Sequence, residues 1–266
     1  MGYDCFYRLE TVQECLALDR ARGRRVGQAL PLVKSKEQRR ALKFLRDTLA
    51  YDPDEGPPHS RASALYMRGF KQRVAGELIR LRREERPDMQ TLTLLPVGWE
   101  LAPELLSPYE FLRRIKRIKN YLERPEFRKA TGFFFGALDL EYRERRDLVD
   151  PHIHAAVSGD YVEIIKEKWK SKAAFQPRHS SAKPIQFNTI REPAAALTYP
   201  LKNALTYRDS IVGKGQNLTD GRKTFHMPEP VSSLILSTLN NMRVTDTFIL
   251  SGCRVEGGRL VVTKDH

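Results

Sequence analysis

The stretch Asp150-Pro151-His152-Ile153-His154-Ala155-Ala156-Val157 decides how this chain is read. Its apolar and β-branched content predicts a strand from Pro151 to Val157. Side chains along a strand alternate between the two faces of a sheet, so His152 and His154 share one face while Ile153 turns to the other. Two imidazoles at that spacing can hold one divalent cation. Only six histidines occur in 266 residues, and two of them stand here in an otherwise apolar run. The competing reading is two histidines that merely lie on a strand.

The residues upstream supply what such a site lacks. Phe133 to Tyr142 predicts a second strand, rich in Phe, Ala and Leu, in which Asp139 and Glu141 share a face. The charged segment from Arg143 to Asp150 predicts a bend that returns the chain antiparallel. One of the two carboxylates can then complete a site of two histidines and one acid; two acids on a solvated sheet face are the alternative. Such a donor set leaves open positions for phosphate oxygen and suits Mg²⁺ or Mn²⁺ used as a Lewis acid.

Downstream, Pro184 to Ile190 predicts a strand, and Glu192-Pro193 opens a helical stretch holding Tyr199 and Lys202. Three residues apart on a helix, these two are neighbours. Pro200 disfavours helical geometry at Tyr199 and removes a donor, so a kink or restart is expected there. Tyr207, eight residues on, would lie about 80° away around a regular helix. A Gly-rich loop (Gly213, Gly215, Gly221), a helix near Val231–Met242 and a hairpin turning at Glu256-Gly257-Gly258 complete the chain.

Before the strand pair, Thr91 to Val97 predicts another strand. Ser107-Pro108-Tyr109-Glu110 has the form of a capping box with Pro at the first helical position. The helix it opens has an apolar face of Phe111, Leu112, Ile115, Ile118 and Leu122. Arg113, Arg114, Lys116, Arg117 and Lys119 form its basic face. Such a face is a solvated outer layer or a phosphate contact. A helix is expected between Gly159 and Phe175. Residues 1–89 read as three helical segments: around Leu9–Asp19, around Ala41–Leu49, and from Leu65 to Leu81. The pattern is α+β, a central antiparallel sheet with helices packed on it. Three regions follow: residues 1–89, a helical extension and candidate DNA-docking module; residues 90–208, the core; and residues 209–266, which complete or flank it.

The formal net charge of +13 points to a polyanionic partner, nucleic acid being the commonest. Three cysteines without a C-x-x-C pair give neither a disulfide framework nor a zinc site. No signal peptide or membrane-length apolar run is visible, and a cytoplasmic location is expected.

In this order the motifs resemble those of the HUH endonucleases, specifically the single-tyrosine initiators of rolling-circle replication. Thr91-Leu92-Thr93-Leu94 looks like the family's first strand motif, and Pro151-His152-Ile153-His154 like its histidine–hydrophobe–histidine motif. Tyr199-Pro200-Leu201-Lys202 looks like its tyrosine–x–x–lysine motif, and Asp139-Leu140-Glu141-Tyr142 matches the strand bearing its acidic ligand, with the register favouring Asp139. The family more usually has Glu at that position. The resemblance spans about residues 90–208. It implies the HUH nuclease fold, with metal held by His152, His154 and Asp139 or Glu141. It further implies nicking and rejoining of single-stranded or hairpin origin DNA by Tyr199 through a 5′-phosphotyrosine, with Lys202 near the phosphate. No G-x-x-x-x-G-K-[ST] loop occurs, so a host helicase is the expected companion.

Other classes compete. Asp150-Pro151-His152-Ile153-His154 also resembles the first metal motif of amidohydrolases, but too few residues follow His154 to close a (β/α)₈ barrel. A DNA-binding protein without catalysis would use the histidines and tyrosine structurally. A transposase or relaxase would share the tyrosine chemistry.

Overall fold

A computed structural model describes residues 10–176, 183–201, 205–212, 218–257 and 259–263. The helices are α1 (Val12–Ala29), α2 (Lys36–Leu49), α3 (Ala64–Glu84), α4 (Pro108–Leu122), α5 (Pro125–Arg128), α6 (Asp160–Lys168), α7 (Pro193–Thr198) and α8 (Val231–Asn240). The strands are β1 (Gln90–Leu94), β2 (Gly132–Arg143), β3 (Leu148–Gly159), β4 (Ile185–Thr189), β5 (Thr206–Val212), β6 (Leu218–His226), β7 (Phe248–Ser251), β8 (Cys253–Glu256) and β9 (Arg259–Val262). The protein is α+β, as the alternation of patterns predicts.

Five strands form an antiparallel sheet in the order β4-β1-β3-β2-β7. The β5–β6 hairpin attaches where Tyr142 of β2 pairs in parallel with Tyr207 of β5. Two departures from the sequence reading follow. The region read as a Gly-rich loop contributes strand β6, which includes Gly221; Gly213 and Gly215 lie outside the described residues. Tyr207 stands on a strand, not eight residues along a helix, so the angular argument about it does not apply. The described helical stretch runs to Leu201, and β5 begins at Thr206.

The long pair β2–β3 is the frame of the site, and alternation decides its two faces. Phe134, Leu138, Leu140, Ile153, Ala155 and Val157 face one layer, where they cluster with Phe111, Ile115 and Ile118 of α4 and Val162 and Ile165 of α6. Phe133, Phe135, Ala137 and Ala156 face the other, against Met67, Phe70, Val74, Leu78 and Leu81 of α3 and Leu197 and Leu201 around α7. Phe133, Phe134 and Phe135 are all fully buried. Burial stabilises each by about 1.5–3 kcal/mol relative to exposure. A sheet covered on both faces reads as a continuous apolar run, which is why β2 shows little polar alternation.

At their far end the two strands pack tightly. Gly132 and Gly159 are paired with each other at φ +86° and +65°, a region that strains a residue with Cβ. A Cβ on Gly159 would lie 2.6 Å from the Thr131 carbonyl oxygen. At the near end a turn through Glu144–Arg146 and left-handed Asp147 replaces the broader predicted bend. There Asp147 accepts from the Tyr142 hydroxyl at 2.7 Å, and Arg143 pairs with Asp150 at 2.7 Å.

Helix α3 is anchored from a distance. Buried Asp19 of α1 accepts from the backbone N–H of Ala64 and Leu65 and from the hydroxyls of Ser63 and Tyr51. A carboxylate at a helix N-terminus satisfies its unpaired donors and its positive dipole end. Helix α4 forms half of its predicted capping box. The Ser107 hydroxyl accepts from Glu110 N–H at 3.3 Å, but the Glu110 carboxylate is taken by Arg113 and Arg114. Among the described residues no helix is long and apolar enough to cross a membrane.

Candidate metal centre

The sheet register brings the site together. Asp139 of β2 is paired directly with His152 of β3, and His154 is paired with Ala137 on one side and Thr93 of β1 on the other. All five positions lie on the face that carries α3 and α7. Ala137 offers only a methyl group, so it leaves room for the His154 ring to lean toward Asp139. Asp139 Oδ2 lies 3.1 Å from His152 Nε2 and 3.3 Å from His154 Nε2, and the two nitrogens are 3.1 Å apart.

These three atoms make a nearly equilateral triangle. Donors about 2.1 Å from one ion are separated by about 3.0 Å at octahedral angles and about 3.4 Å at tetrahedral ones. The observed edges fall between these two values. The outer hydrogen bonds set the tautomers. His152 Nδ1 donates to the carbonyl of Asp150 at 3.1 Å, which leaves the Nε2 lone pair facing the centre. Thr93 Oγ1 lies 3.1 Å from His154 Nδ1, placed to accept the proton that must sit there when Nε2 binds a metal. The other Asp139 oxygen accepts from the Leu140 N–H at 2.9 Å. Two imidazole lone pairs and a carboxylate oxygen therefore converge on one point, a donor set that fits a divalent cation.

The register sets the two acids apart. Glu141 is paired with Asp150, one same-face position beyond Asp139, and its carboxylate is not in the converging group. Asp139, and not Glu141, is the acid whose carboxylate stands with both histidines.

Tyr199 packs edge-on to His154, with ring centroids 4.5 Å apart and planes at 81°. The backbone there is helical, φ −57° and ψ −43°, despite Pro200. The chain meets the expected restart by tightening α7 into a 3₁₀ turn over Tyr199–Leu201. Buried Leu197 and Leu201 hold that turn in the α3 cluster, so packing outweighs the local preference. Lys202 lies outside the described residues.

Two groups escaped the sequence reading. Thr93 gave a weak signal, since Thr91 and Thr93 alternate with Leu92 and Leu94. Arg61 gave none. Its guanidinium is buried and donates to the carbonyl of Leu138 at 2.5 Å, on the edge of β2 between the end of its pairing with β7 and the start of β5. Burial lowers the Arg61 pKa to about 10, and the Asp139 carboxylate pulls against that shift. No family model, curated protein or solved structure matches this chain.

Proposed function

We propose that this protein nicks and rejoins single-stranded DNA with Tyr199 as nucleophile at a divalent metal centre, as a replication initiator of the HUH endonuclease class. The observation that carries the reading is the convergence of Asp139, His152 and His154 with the Tyr199 ring packed against one of the ligands. The Nε2 atoms of both histidines stand within 3.3 Å of one buried carboxylate oxygen, an arrangement that a divalent cation would bridge.

His152, His154 and Asp139 would hold Mg²⁺ or Mn²⁺, which supplies charge stabilisation for a phosphodiester undergoing attack. The Tyr199 phenol oxygen forms a bond to phosphorus as the bond from phosphorus to the 3′ oxygen breaks. The phenol loses its proton and the departing 3′ oxygen gains one. A 5′-phosphotyrosine and a free 3′-hydroxyl result, and attack by that hydroxyl reverses the step. One phosphodiester replaces another, so no nucleotide cofactor is needed. Thr93 and the Asp150 carbonyl keep the imidazoles oriented, and Lys202 is assigned to the developing phosphate charge by the motif alone.

Labelled single-stranded oligonucleotides incubated with the protein and Mn²⁺, then run on a denaturing gel, test the reading. A DNA–protein adduct that needs Mn²⁺ is expected. Cleavage without an adduct would instead implicate a metal-activated water, and neither product would leave a binding protein.

A further inference from the structure

A second feature lies on the opposite face of the sheet from the metal centre. Gly98 and Trp99, with Arg113, Lys116, Arg117 and Asn120 of α4, line a groove that Arg114 also borders. The buried side of α4 is Phe111, Ile115, Ile118 and Leu122, so its outward side is fixed by packing. Arg113, Lys116, Arg117 and Asn120 are exposed on it at intervals of three and four residues, one helical row.

The charge in this row is not neutralised. Glu110 is the only carboxylate that pairs with α4 cations among the described residues, and it takes Arg113 and Arg114. Lys116 and Arg117 have no carboxylate within 4.0 Å among the described residues. Arg114 is set rigidly: its Nε donates to the Trp99 carbonyl at 3.0 Å and its Nη1 to the Glu110 carbonyl at 3.0 Å. Tyr109, one turn before Arg113 on the same row, is 69% exposed. An unpaired cationic row with an exposed aromatic ring at one end matches a single nucleic-acid strand, whose phosphates want cations and whose bases want a flat face.

The groove also lies at the same end of the sheet as the metal centre. Leu101, two residues beyond Trp99, bridges Val149 of β3. Val149 precedes His152 by three residues, about 10 Å of strand.

We propose that the α4 groove binds the phosphodiester backbone of a single DNA strand that runs on from the metal centre, with Tyr109 stacking a base. The choice of DNA rests on the nicking reading; the anionic single strand rests on the groove.

The test is binding of a labelled single-stranded oligonucleotide to the full chain by fluorescence anisotropy, in EDTA, across a range of salt. Lys116→Gln/Arg117→Gln removes two exposed charges without touching the core. Each phosphate contact contributes a salt slope of about 0.7 on a single strand, so the slope should fall by about 1.4, and affinity at 0.1 M salt on the order of 25-fold. Lys36→Gln/Lys43→Gln, an equal charge change on exposed α2, should alter the slope far less. Tyr109→Ala should weaken binding at least about fivefold with the slope retained. Equal slopes for the two charge pairs, or no change in the α4 pair, overturn the groove. Duplex DNA bound as tightly, with the same sensitivity to the α4 pair, overturns the single-strand assignment. No metal or cleavage enters the measurement, so the two readings fail separately. A chain that binds as expected and never nicks overturns the reaction alone; one that nicks while the α4 variant binds normally overturns the groove alone.

Discussion

Replacing Asp139 by Asn should move the melting temperature in opposite directions with and without metal. In the metal-free chain Asp139 Oδ2 faces two imidazole nitrogens at 3.1 and 3.3 Å, and the outer hydrogen bonds aim at least the His152 lone pair inward. An Asn amide in the same place donates an N–H to one of those nitrogens. A hydrogen bond replaces an acceptor–acceptor contact, worth about 0.5–1.5 kcal/mol. For 266 residues the unfolding entropy is about 0.56 kcal/mol/K, so metal-free Tm should rise by about 1–3 °C. With Mn²⁺ at a hundred times its Kd, binding stabilises the wild-type chain by about 2.7 kcal/mol, or about 5 °C. Asp139→Asn should lose most of that shift, and His152→Ala/His154→Ala all of it. Differential scanning fluorimetry in EDTA and in Mn²⁺ reads both effects. A double histidine variant that keeps the full Mn²⁺ shift would place the metal elsewhere and refute the converging triad.

Other substitutions separate the parts. Tyr199→Phe should abolish the covalent adduct while Mn²⁺ stabilisation persists, because the ring against His154 keeps its volume; an adduct that survives on a gel means another nucleophile. Asp139→Ala should lower nicking at least a hundredfold and Glu141→Ala less than about threefold, in line with their register positions; equal losses in initial-rate assays would sink the assignment. Deleting residues 1–89 should give an aggregating chain, since it strips Met67, Phe70, Val74, Leu78 and Leu81 from the sheet face they cover; a monodisperse, folded fragment by size exclusion and circular dichroism would show that face does not need α3. Burial raises the Cys253 pKa from 9.0 to about 12, with a hydrogen bond from the Ser251 backbone opposing. The thiol's stabilisation is therefore complete below pH 9 and is lost as pH rises toward 12, by about 1.4 kcal/mol per unit. Urea midpoints at pH 8 and pH 10 should show a smaller fall in Cys253→Ala than in wild type, and a thiol reagent at pH 8 should leave native Cys253 unmodified.

The parts of this protein written in short-range pattern were legible from its residues. Alternation placed His152 and His154 on one face with Ile153 behind them, and Asp139 with Glu141 on one face of the preceding strand, because the period of a strand is a property of the backbone. The helical period of α4 separated Phe111, Ile115 and Ile118 from Arg113, Lys116 and Arg117 for the same kind of reason, but Leu112, read with the first group, is exposed, and Arg114, read with the second, is buried. Tertiary structure decided what depends on partners distant in sequence. Asp139 rather than Glu141 stands beside both histidines through a pairing register that follows the turn at Asp147. Tyr207 became a strand residue because β5 finds an edge of β2 to pair with, which a polar sequence such as Thr206-Tyr207-Arg208-Asp209-Ser210 does not announce. Arg61 reaches Leu138 across 77 positions of sequence. Tyr199 stays helical before a proline because Leu197 and Leu201 are buried against α3. Periodicity is local and can be read along a chain; register, edge pairing and burial belong to the free energy of the whole assembly of elements.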